Sequence, residues 1–194
     1  RRIEPKGVFS HLITDHYHYF HLGGEGYHDS FNTWQFERGQ EGDCWISRVD
    51  LPALPECLGE LRDRPQNALN RMAQRDEQDF SGPRCIRHAL RWLDDNGGSD
   101  SWLLQLELFD PHEPFYAAPT YLERYGDTWR GPTYDWPDYR IVQETPEEIA
   151  HIRNCYAALL TMTDHWLGKL WDKLDELDLW RDTMVVLTTD HGAM

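Results

Sequence analysis

Three places in this 194-residue chain set a carboxylate and an imidazole side by side at the end of a short apolar run. Met184-Val185-Val186-Leu187-Thr188-Thr189 leads into Asp190-His191-Gly192, residues 102 to 109 lead into Asp110-Pro111-His112, and residues 8 to 14 lead into Asp15-His16-Tyr17-His18. Short runs of leucine and β-branched residues read as buried strands, and in open α/β sheets ligands sit beyond the carboxyl ends of the strands. The three runs are therefore expected to deliver Asp and His to one sheet edge.

The chemistry differs from place to place. Asp190 and His191, on adjacent residues, can both reach one cation, although an isolated Asp-His-Gly also suits a turn with an exposed ring. In Asp110-Pro111-His112-Glu113-Pro114-Phe115 two prolines fix φ around His112 and Glu113 and disfavour helix. Such a rigid loop suits a residue that holds or protonates a reacting group, and a solvated proline turn is the alternative. His16 and His18, two residues apart, would share one face of an extended strand. That spacing serves a zinc site or a pair of polarising groups beside a nucleophile, and an exposed strand edge is the alternative.

These groups need elements to hold them. Between the first run and Asp50 the chain is polar and glycine-punctuated, with one short strand expected near Thr33 to Glu37. Helices are expected over 66 to 78 and 83 to 95; in the second, Ile86, Ala89, Leu90 and Leu93 share a face and Asn96-Gly97-Gly98 supplies the stop. Residues 110 to 144 have no sustained periodicity but are dense in proline and aromatics, as functional segments often are. Thr145-Pro146-Glu147-Glu148 is a capping box with Pro in the first turn, and Ile149, Ile152, Tyr156, Leu159, Thr163, Leu167, Leu170, Leu174 and Leu177 repeat at three and four. That helix would be about 45 Å long at 1.5 Å per residue. A long helix feeding a strand over 184 to 189 makes an αβ unit and favours a parallel sheet.

Composition narrows the partners. A net charge of −15 argues against nucleic acid or an anionic membrane surface, both of which need basic patches, and 40% hydrophobic residues suit a globular domain. No stretch approaches the roughly 20 apolar residues of a membrane span. Cys44, Cys57, Cys85 and Cys155 form no C-x-x-C pair and leave the redox compartment open. Compartment and oligomeric state are not legible.

Taken together, Leu187-Thr188-Thr189-Asp190-His191-Gly192, Asp110-Pro111-His112-Glu113-Pro114-Phe115 and the helix carrying Thr163-Asp164 and Leu167-Gly168-Lys169-Leu170 resemble the sulfatases of the alkaline-phosphatase superfamily. The resemblance covers roughly residues 100 to 194, and Thr14 to Asp43, with Arg38-Gly39-Gln40-Glu41-Gly42-Asp43, also looks like a branch of it. It implies an α/β fold, part of an α/β/α sandwich with a mostly parallel sheet. Residues 1 to 194 would form a single truncated catalytic domain with the 110 to 144 segment inserted.

The resemblance further implies hydrolysis of a small-molecule or carbohydrate sulfate ester by a divalent cation and a formylglycine nucleophile. Asp190 and His191 would bind the metal, with calcium expected and manganese or zinc as alternatives. His112 would contact the sulfate and assist departure of the leaving group. Where many relatives carry Gly-Lys-Trp-His-Leu-Gly, a gapless match sets Asp15 and Tyr17 in the sulfate-binding and nucleophile-holding roles. A shift of one residue sets His16 and His18 there, which is chemically more sensible because an Asp repels sulfate. The chain has no Cys-x-Pro-x-Arg or Cys-x-Ala-x-Arg motif and no paired N-terminal Asp ligands. Both lie upstream of Val8 in the family, so the chain is expected to be an internal piece of a longer protein and inert alone. The rivals are a phosphonate or phosphate ester hydrolase of the same superfamily and a non-catalytic metal- or carbohydrate-binding domain.

Overall fold

The computed structural model describes residues 7–24, 26–59 and 64–192. Its centre is a sheet of three parallel strands, β1 (Phe9–Thr14), β2 (Thr33–Phe36) and β3 (Trp102–Glu107), in the order β2-β1-β3. The register pairs Ile13 with Gln35 on one side and with Leu106 on the other. Because all three strands run the same way, Asp15, Glu37 and Phe109 leave the sheet at one edge.

Helices cover one face. Ile13 on β1 and Leu104 and Leu106 on β3 pack on Cys85 and Ala89 of α2 (Ser81–Asn96). Behind α2 lies α4 (Pro146–Glu176), a helix of 31 residues. Its start is the expected capping box: Thr145 Oγ1 accepts from Glu148 N at 3.3 Å and Glu148 Oε2 accepts from Thr145 N at 2.7 Å. Its buried residues are His151, Cys155, Ala158, Leu159, Met162, Trp166 and Leu174; Leu159 and Leu174 belong to the expected repeat, and the others lie beside it. Ile152, Tyr156 and Leu167 flank these residues and are only half-buried, because α2 and the aromatic segment together embrace a wide arc of the helix.

Two expectations fail in this region. The helix expected over 66 to 78 is α1 (Arg64–Arg71) followed by a 3₁₀ turn at Glu77–Asp79. The Asp79 carboxylate accepts from the amides of Arg75 and Asp76 at 3.2 and 3.0 Å, and so takes donors that a continuing helix needs. The strand expected over 184 to 189 does not form: the run joins no ladder among the described residues and leaves Met184, Val186 and Leu187 86, 73 and 73% exposed. An apolar run becomes a strand only where a neighbour takes its amides and carbonyls, and among the described residues this run pairs with neither edge strand, β2 or β3.

The 110 to 144 segment is irregular apart from α3 (Pro119–Glu123), yet it is tied down throughout. Phe115 N donates to Asp135 O at 2.7 Å, and Tyr121 Oη donates to Glu77 at 2.7 Å. Asp127 accepts from Asn154 and pairs with His151, both on α4 and both at 3.0 Å, while Trp129 stacks on the His151 ring. Among the described residues no helix is long and apolar enough to cross a membrane.

Candidate functional site

The floor of the site is acidic. Asp15, the first residue after β1, is fully buried and accepts from Phe109 N at 2.7 Å, Ser81 Oγ at 2.8 Å and Gln40 Nε2 at 3.1 Å. The same Gln40 amide donates to Asp110 Oδ1 at 2.9 Å. Burial raises the pKa of Asp15. Burial, and then the neighbouring charge of Asp15, push Asp110 up to about 7. Gly82, in the first turn of α2, allows this packing, since a Cβ there would lie 3.1 Å from Asp110 Oδ2.

Three imidazoles stand above that floor around one ring. The Phe109 centroid lies 5.4, 5.9 and 4.5 Å from those of His16, His18 and His112, and the His16 and His18 rings are 5.3 Å apart. Their side chains are 29, 47 and 34% exposed, which leaves them accessible to a solute. The expected shared strand face is not what unites His16 and His18. Tyr17–Phe20 is a 3₁₀ helix, because the chain turns away once β1 ends, and Tyr17 goes inward between the two.

Carboxylates orient each ring. His16 Nδ1 lies 2.9 Å from Glu107 Oε1, which also accepts from Tyr19 Oη at 2.7 Å, and the Tyr19 ring stacks on His16. Burial pushes the Glu107 pKa up, but the bonds from His16 and Tyr19 outweigh it and hold the group below the usual carboxylate range. Glu41 accepts from Tyr17 Oη at 2.8 Å and lies 3.4 Å from His18 Nε2 and 3.7 Å from His112 Nδ1. It is buried and has φ of +43°, a conformation costly for a non-glycine residue and concentrated at functional sites. His112 Nδ1 is 2.7 Å from the Glu113 carbonyl, which can only accept, so Nδ1 carries a proton and Nε2 is the other ring nitrogen. The peptide bonds before Pro111 and Pro114 are both cis.

Asp190 and His191 come to the same end of the sheet without strand pairing. Their side chains are 87 and 58% exposed, and Asp190 Oδ1 accepts from His191 N at 2.8 Å while Oδ2 lies 3.7 Å from His191 Nε2. The His191 amide and the positive charges of His191 and His112 hold Asp190 below its ordinary pKa, and the Gly192 carbonyl, then the charges of Asp190 and Glu113, raise His191. One carboxylate and one imidazole this close fit a divalent cation as two of its ligands. Among the described residues no group of three or more His, Cys, Asp or Glu is arranged to hold a metal.

Of the five residues expected in the site, His16, His18 and His112 converge on Phe109, and Asp190 and His191 lie within electrostatic reach of His112 and Glu113. Glu107, Phe109, Gln40 and Glu41 were not expected to take part. Glu107 is a carboxylate closing an apolar run, and Gln40 and Glu41 lie in a stretch already singled out for its resemblance.

A family model described as Sulfatase matches residues 63–194. A choline-sulfatase from Rhizobium meliloti (strain 1021) is 25% identical over 142 residues, covering 64% of this chain and 28% of that protein. The multifunctional alkaline phosphatase superfamily protein PehA of Trinickia caryophylli is 42% identical over 45 residues, covering 23% of this chain and 9% of that protein. Mouse (Mus musculus) arylsulfatase K is 44% identical over 50 residues, 26% of this chain and 9% of that protein. The crystal structure of the phosphonate monoester hydrolase of Agrobacterium radiobacter superposes with a TM-score of 0.57 at 14% identity, covering 92% of this chain and 44% of that one. The chain thus spans less than half the length of that structure, and the matched segments span still less of the curated relatives.

Proposed function

This chain belongs to the sulfatase family, and from that premise we propose that the protein hydrolyses sulfate esters at the edge where β1, β2 and β3 end. The observation that carries the reading is the convergence of His16, His18 and His112 on Phe109, each ring braced by a carboxylate. Three accessible imidazoles suit a tetrahedral monoanion, which needs donors for its oxygens and a proton for its leaving group.

In this reading His16 and His18 bind sulfuryl oxygens through ring N–H groups, and Glu107 and Glu41 hold the two rings in position. His112 serves the ester oxygen. As an imidazolium it keeps Nδ1–H on the Glu113 carbonyl and presents Nε2–H to the departing alcohol, with Glu41 and Glu113 carboxylates 3.7 and 3.6 Å away to offset the ring charge. Asp190 and His191 would hold a divalent cation, calcium before manganese or zinc, which would supply positive charge to offset that of the sulfate oxygens. The attacking group, a formylglycine in the family, is assigned to no residue of this chain.

A phosphonate monoester hydrolase is the second reading, favoured by the superposition on 92% of the chain. Comparing turnover of 4-nitrophenyl sulfate and 4-nitrophenyl phenylphosphonate by the full-length protein separates the two. The proposal expects kcat/KM at least about tenfold higher for the sulfate, a transition-state preference of about 1.4 kcal/mol. Faster phosphonate turnover rejects it.

A further inference from the structure

Away from the histidines, a cavity of about 440 Å³ lies between the 52–58 stretch, α1 and the aromatic segment. Its wall is largely apolar, including Leu54, Leu58, Ala68, Met72, Tyr116 and Trp136, and the volume falls in the range of small-molecule sites. Two guanidinium groups, of Arg64 and Arg71, interrupt that lining. Arg71 forks onto Asp135 at 2.8 and 3.2 Å and stacks 4.2 Å over the Tyr116 ring, while Arg64 donates to the Pro55 carbonyl.

Both arginines keep a buried Nε–H with no acceptor among the described residues. The two guanidinium groups line the cavity, and cationic groups in an otherwise apolar lining suit an anion. The charge count agrees. Among the described lining residues Arg64 and Arg71 face one carboxylate, Asp135, so that lining is net positive in a protein whose net charge is −15. Apolar walls with a cationic end suit a ligand that has an apolar body and an anionic head.

We propose that this cavity binds a small amphiphilic organic anion, with the anionic head on Arg64 and Arg71 and the apolar body against Leu54, Leu58 and Trp136. The site stands independently of the hydrolase reading.

Calorimetric titration of the full-length protein with hexanoate tests it, with 1-hexanol and inorganic sulfate as controls. Saturable one-to-one hexanoate binding is expected, weakened at least about tenfold by Arg64→Gln and by the cavity-filling Ala68→Phe. It should be unchanged in His112→Ala, which separates this cavity from the histidine site. A lack of saturation up to about 10 mM overturns the proposal, since such affinity is at the millimolar floor of specific binding. Equal affinity for hexanol removes the role of charge, equal affinity for sulfate removes that of the apolar wall, and either overturns it. So does hexanoate affinity that is the same in both cavity variants. If Arg64→Gln fails to fold, Ala68→Phe carries the test.

Discussion

Asp15 and Asp110 share a single amide donor, Gln40 Nε2, at 3.1 and 2.9 Å, although 95 positions separate them in sequence and each closes a different strand. Burial, reinforced by the charge of Asp15, pushes Asp110 up to about 7. An unfolded aspartate titrates near 3.9, so between about pH 4 and 7 the folded protein keeps a proton that the unfolded chain has lost. Stability from this group is complete below that window and drains away as pH rises through it. Asp110→Asn is therefore expected to lose less stability than the wild type between pH 4 and 7, by on the order of 2 kcal/mol. Urea unfolding at several pH values measures the difference, and parallel pH curves would contradict it.

What could be read in advance divides by the range of the interactions. The start of α4 was legible because its capping box spans four residues, and the face of α2 because Ile86, Ala89 and Leu93 repeat along one helix. The run at 184 to 189 misled because apolar character states a wish for burial and says nothing of a free partner. Glu41 was invisible as an orienting group: its contacts with Tyr17 and His112 cross 24 and 71 positions, and no local pattern announces a positive φ at a glutamate. Chemistry favours His16 and His18 over Asp15 and Tyr17 as sulfate-facing groups, because an Asp repels sulfate. The structure buries Asp15 and Tyr17 and leaves both histidines accessible.

His112 is expected to matter more as the leaving group becomes poorer. If it protonates the departing oxygen, His112→Ala should lower kcat/KM about 10²-fold or more for an alkyl sulfate, and much less for 4-nitrophenyl sulfate, whose leaving group needs little help. Equal losses on both substrates would assign His112 to binding the sulfuryl group.

On the proposed reading Asp190 and His191 would supply a hard carboxylate and a borderline imidazole to one cation. Chelation of the full-length protein should abolish turnover, and calcium should restore it. Asp190→Ala should weaken calcium binding at least about tenfold by calorimetry. Full activity after exhaustive chelation would remove the pair from the mechanism.

Leu159 is fully buried on α4 within the cluster that also holds Ile86, Phe115 and Met162. That cluster joins α4 to the loop carrying His112. Leu159→Ala should cost about 2 to 5 kcal/mol, the range for a buried leucine whose surroundings cannot fully collapse. A loss below about 1 kcal/mol in denaturant unfolding would mean that the aromatic segment closes over the gap.

Glu41 touches three members of the site at once, accepting from Tyr17 and facing His18 at 3.4 Å and His112 at 3.7 Å. It is a positioning residue, and Glu41→Gln keeps its shape and its acceptor for Tyr17 while removing the charge that faces both imidazoles. Thermal stability should change little, whereas kcat/KM should fall about tenfold or more, as for other groups that orient a reacting side chain. The loss should also be larger for alkyl than for aryl sulfates, because it acts through His112. A variant that loses stability and activity together, with no dependence on the leaving group, would reduce Glu41 to a structural support beneath Tyr17.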